Sequence, residues 1–64
     1  MKQDEIVRNI TKEKIEAITQ QKVRNVFYLC TTKDEEIAYM VMGNNNKILG
    51  VLLFKSENDW EFIK

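Results

Sequence analysis

Three strand-length segments of this 64-residue chain are apolar on both of their alternating faces, and a single helical segment accompanies them. Side chains of a strand point alternately to opposite sides of the sheet. In Val23–Thr32, Val23, Phe27 and Leu29 fall on one side and Val26, Tyr28 and Cys30 on the other. In Glu36–Met42, Ile37, Tyr39 and Val41 oppose Ala38, Met40 and Met42. In Lys47–Lys55, Leu49, Val51 and Leu53 oppose Ile48, Leu52 and Phe54. An antiparallel sheet with one wet face reads apolar and polar in alternation. This one does not, so both of its faces call for cover.

The cover available in the chain is small. Before residue 22, apolar residues recur at helical spacing: Ile6, Val7 and Ile10, then Ile15 and Ile18 with Ala17 between them. This predicts a helix over about 4–21, with Asp4 as N-cap and Lys12, Glu13, Lys14 and Glu16 on its solvated face. Thr11 offers a second N-cap, for a shorter helix over 12–21. A helix of about 18 residues is about 27 Å long and 10 Å wide, enough for one face of a small sheet.

Turn chemistry divides the rest. Lys33-Asp34-Glu35 separates the first two strands, and Ser56–Asp59 precedes a short fourth strand over 60–63. Gly43-Asn44-Asn45-Asn46 is the strongest turn signal, because Gly and Asn tolerate the positive φ of hairpins. Short connections make neighbouring strands antiparallel. The expected fold is α+β: one N-terminal helix on a four-stranded antiparallel meander, in one domain spanning 1–64.

Three solutions cover the second sheet face. A C2 homodimer packing sheet on sheet is the simplest. Curling into a half-barrel is another, and docking of a different protein is a third. A core this small needs such help, since a chain of this mass buries only about 60% of its unfolded surface. Disulfides do not supply it, because Cys30 is the one cysteine.

Composition narrows the chemistry. There is no histidine, so neither a Cys/His nucleophile pair nor the usual zinc sets can be assembled. Cys30 reads as a small buried core residue. Asp34, Glu35 and Glu36 lack the spacing of a calcium loop and read as a solvated turn. The Gly43–Asn46 run lacks phosphate-loop spacing and reads as a hairpin tip with amides free for a partner. No catalytic residue, metal or cofactor is expected, and the chain is read as non-enzymatic.

Ten basic and ten acidic residues cancel. Residues 1–24 hold six basic and four acidic groups, and residues 25–64 hold four and six, a split of +2 and −2. The leading reading is a protein-interaction module, an inhibitor or accessory factor that docks by its surface as a homodimer. Its candidate contact residues are Tyr39, Met40, Met42, Asn44, Asn45, Asn46 and Trp60. The alternative is a small nucleic-acid-associated regulator using the basic residues Arg8, Lys12, Lys14, Lys22 and Arg24. Acidic Glu13 and Glu16 interrupt that basic run, and no exposed aromatics interleave with it as on a stacking platform.

The N-terminus shows no export signal, and the apolar runs Ala38–Met42 and Val51–Phe54 are too short to span a bilayer. A cytoplasmic protein without membrane contact is expected. The richness in Lys, Ile and Asn, whose codons are AT-rich, suits a low-GC bacterium or its phage.

Overall fold

The computed structural model describes residues 2–64. Helix α1 (Lys2–Ile10) runs into a π-helical turn over Thr11–Ile15 and continues as α2 (Glu16–Thr19). Four strands complete the chain: β1 (Asn25–Thr31), β2 (Ile37–Met42), β3 (Ile48–Ser56) and β4 (Asp59–Ile63). They form one antiparallel sheet in chain order, so the α+β helix-and-meander layout expected from the sequence is present.

The helix begins before Asp4, which lies within its first turn rather than capping it. Thr11 is no cap either. Its buried hydroxyl donates to the Val7 carbonyl at 2.7 Å, where the backbone changes from α to π. A threonine bonded back to the preceding turn in this way loosens regular helix geometry.

The π turn resolves a conflict in the apolar pattern. At 100° per residue, an unbroken α-helix would put Ile18 about 20° from Val7 and Ile15 about 80° from it. A π turn takes up one extra residue and so turns the following chain back by about 100°. Ile15 moves to the middle of the buried face and is fully enclosed, while Ile18 swings out and is 48% exposed. The helix ends at Gln20, in the left-handed conformation (φ 57°), whose N–H donates to the Glu16 carbonyl. The Glu16 carboxylate then accepts the Val23 N–H at 2.9 Å and steers the chain into β1.

Val7, Ile10 and Ile15 of the helix pack with Tyr39 and Val41 of β2 and Leu49, Leu52 and Phe54 of β3. Val23, Val26, Ile37, Trp60 and Phe62 close the margins of this core. The Gln3 amide also reaches the Tyr39 hydroxyl at 3.2 Å.

Each ladder carries one irregularity. Leu29 is extra between the pairs Tyr28–Tyr39 and Cys30–Ala38, Leu49 between Val41–Gly50 and Met42–Ile48, and Lys55 between Phe54–Trp60 and Ser56–Asp59. A bulge inserts one residue and resets the alternation beyond it. That corrects two expected faces. Leu49 joins Leu52 and Phe54 in the core, while Ile48 turns outward, 59% exposed. Cys30 pairs with Ala38 instead of lining up with Tyr28, and it is exposed rather than buried.

The first hairpin closes through Thr32 N–H to Glu36 O and Glu35 N–H to Thr32 O, with Glu35 at φ 64°. At the second, Asn45 and Asn46 take the positive φ (59° each), while Gly43 has φ −100°. The glycine has a different reason: a Cβ there would lie 3.0 Å from Leu49 Cδ2.

Candidate functional site

The open face of the sheet is built by register. Phe27, Met40, Val51 and Ile63 lie side by side in one row across all four strands. Beside it run Cys30, Ala38, Leu53 and Glu61 on one side, and Asn25, Met42 and Ile48 on the other. The helix covers the opposite face, so this apolar row meets solvent. Phe27, Leu29, Ile48 and Ile63 are all exposed, and Met40, Met42, Val51 and Leu53 are partly so.

The expected contact residues divide between the two sides. Met40 and Met42 belong to the open face, and the exposed turn Asn44–Asn46 extends from its corner next to Met42. Tyr39 does not belong there. It is buried on the helix side, because the β2 register pairs it with Tyr28 and Leu52. Trp60 is likewise on the core side, paired with Phe54 and half-buried at the sheet margin, where it seals the core. Phe27, Ile48, Val51, Leu53 and Ile63 complete the open face, Leu29 is exposed at the β1 bulge, and all six lie outside the expected contact set. Alternation signals Phe27 and Leu29; the position of Ile48 depends on the bulge.

A second surface lies between the helix and β1. Arg8 and Lys12 of the helix region, with Val23, Arg24, Asn25 and Val26, line an open hollow of about 420 Å³. The Arg24 backbone is held in place by its N–H bond to the Met42 carbonyl at 2.8 Å. Of the five basic residues singled out in the first third of the chain, three therefore converge. Lys14 and Lys22 are exposed and line neither this hollow nor the one adjoining it.

An adjoining hollow of about 190 Å³ is lined by Asp4, Val7, Arg8, Val26, Tyr28 and Tyr39, and shares Arg8 and Val26 with the first. The Tyr28 and Tyr39 rings meet edge to face, with centroids 6.3 Å apart and planes at 76°. Aromatic side chains thus do stand beside the basic residues. The sequence gives no sign of this, because Tyr28 and Tyr39 are distant in the chain from Arg8.

Among the described residues no helix is long and apolar enough to cross a membrane, and no three acidic or thiol groups gather into a metal-ligating cluster. Together these features define a small helix-on-meander domain with one apolar sheet face open. Comparison with protein-family models, with curated proteins and with solved structures yields no match.

Proposed function

We propose that the chain is a small non-enzymatic protein-interaction module that acts by surface docking and pairs with a second copy of itself through the open sheet face. The observation that carries this reading is the unbroken apolar row Phe27–Met40–Val51–Ile63, flanked by exposed Leu29 and Ile48. A monomer of this mass is expected to expose about 4,300 Å². This one exposes 4836 Å², an excess of about 500 Å². A standard interface buries about 800 Å² per partner, with about 65% apolar in homodimers. The excess is of the order of the apolar part of one such interface.

Two twisted sheets stack with their strands about 30° apart, and a C2 axis through the row would set the same residues of both copies against each other. The absence of histidine from the sequence favours a binding role over acid–base chemistry. In such a dimer the Asn44–Asn46 turns stand at the rim, free to contact the protein that the dimer inhibits or assists in the cytoplasm.

Light scattering across a range of concentrations tests the reading. The expected mass is twice 7.6 kDa. Met40→Glu, which puts a charge at the centre of the row, should return the mass to the monomer value with an unchanged far-UV circular dichroism spectrum. A wild-type protein that stays monomeric at millimolar concentration overturns the homodimer.

A further inference from the structure

We propose that the groove between the helix and β1 binds a nucleotide, with its phosphate held by Arg8, Lys12 and Arg24 and its base against Tyr28. The inference is independent of what covers the open sheet face. It begins with charge. The larger hollow is lined by three cationic residues, Arg8, Lys12 and Arg24, with no carboxylate in its lining. The chain carries as many acidic as basic residues, so this local excess is not a consequence of composition. Arg8 and Lys12 are four apart on the helix, where like charges repel. A ligand carrying two negative charges removes that repulsion, and arginine's planar donor fork suits phosphate oxygens.

The neighbouring hollow supplies the second half of the ligand. Its lining of Val7, Val26, Tyr28 and Tyr39 is apolar and aromatic, and Tyr28 is 63% exposed. An edge-to-face pair occupies one face of only one ring, so the tyrosine pair retains ring surface for a flat partner. Arg8 belongs to both hollows, and Asp4, four residues before it on the helix, lines the second, where its carboxylate can accept a hydrogen bond. A cationic hollow and an adjoining aromatic one, joined at Arg8 and Val26, make the groove complementary to a nucleotide. Inorganic phosphate would leave the aromatic end empty, and a nucleoside would leave the charges unpaired.

The nucleotide has two sources, a free mononucleotide or a residue of a single-stranded nucleic acid. Backbone-tracking cations beside stacking aromatics are what a single-strand surface requires. The open shape of the groove accommodates either.

Titrating ¹⁵N-labelled protein at low salt with AMP, adenosine, inorganic phosphate and a ten-nucleotide oligothymidylate tests the proposal. AMP should shift the amides of Arg8, Lys12, Arg24, Val26 and Tyr28 saturably, and bind at least about tenfold more tightly than adenosine or phosphate. Arg24→Gln and Tyr28→Ala should each weaken AMP about tenfold without moving the thermal midpoint; Arg8→Gln is the second charge variant should Arg24→Gln disturb β1. Oligothymidylate binding more tightly than AMP, with affinity falling about as the square of the salt concentration, identifies a single strand as the source. Equal or weaker oligonucleotide binding identifies the free nucleotide. No saturable shift with AMP or the oligonucleotide, shifts confined to other residues, or phosphate binding as tightly as AMP overturns the proposal.

Discussion

Gly50 sits where β3 bulges against β2 and where the Phe62 ring of β4 lies over the backbone. A Cβ added there would be 2.4 Å from the Ile63 carbonyl oxygen and 2.6 Å from Phe62 Cζ. One neighbour is backbone and the other a packed ring, so relief requires β4 to move. Gly50→Ala should therefore cost about 2–3 kcal/mol in urea unfolding. Gly43→Ala is the control, since its added carbon meets only the flexible end of Leu49. It should cost about 1 kcal/mol or less. Equal losses from the two variants would show that crowding by β4 is not what requires glycine at position 50. Leu49, beside Gly50, also marks a limit of reading faces from alternation. Its neighbours assign it to the side of Val51, but the bulge makes it an extra residue in β3 and sends it to the core.

At the scale of elements, the helix and strands were legible because the apolar period changes from helical to two near residue 22 and polar turns punctuate the remainder of the chain. The bulges and the π turn were not, because each is one residue too many for its neighbour, and the neighbour is set by packing. The helix makes this testable. Deleting Glu13 removes the residue that the π turn absorbs. By angle alone, the deletion leaves both former Ile15 and former Ile18 in their present orientations on a regular α-helix. We expect the variant to retain its fold, with stability within about 1 kcal/mol of the parent by thermal melting. Deleting Ala17 instead, beyond the π turn, should disturb the Glu16–Thr19 segment and the Gln20 cap and cost about 1–2 kcal/mol. A Glu13 deletion more damaging than the Ala17 deletion would refute this account of the π turn. The groove was equally invisible in sequence. Its cations come from the helix and from the entry to β1, and only their docking brings Arg24 to Arg8.

At the scale of the molecule, one face of the sheet is covered within the chain and the other is open to solvent. For a homodimer, stability depends on concentration, and a tenfold dilution should lower the melting temperature by about 5 °C. A melting temperature independent of concentration would argue against the dimer by a route separate from light scattering. Cys30 supplies a local probe, since it pairs with Ala38 on the open side. Its alkylation should be slow in the wild type and faster in Met40→Glu; equal rates would place the interface elsewhere. The meander also has a bearing on speed. Every strand pairs only with its neighbour in the chain, so each hairpin closes a short loop and no strand waits for a distant partner. Refolding should thus begin within single chains, in milliseconds or less, before two copies meet. The first kinetic phase after dilution from denaturant would then keep the same rate at every protein concentration, and only a later phase would slow as copies become scarce.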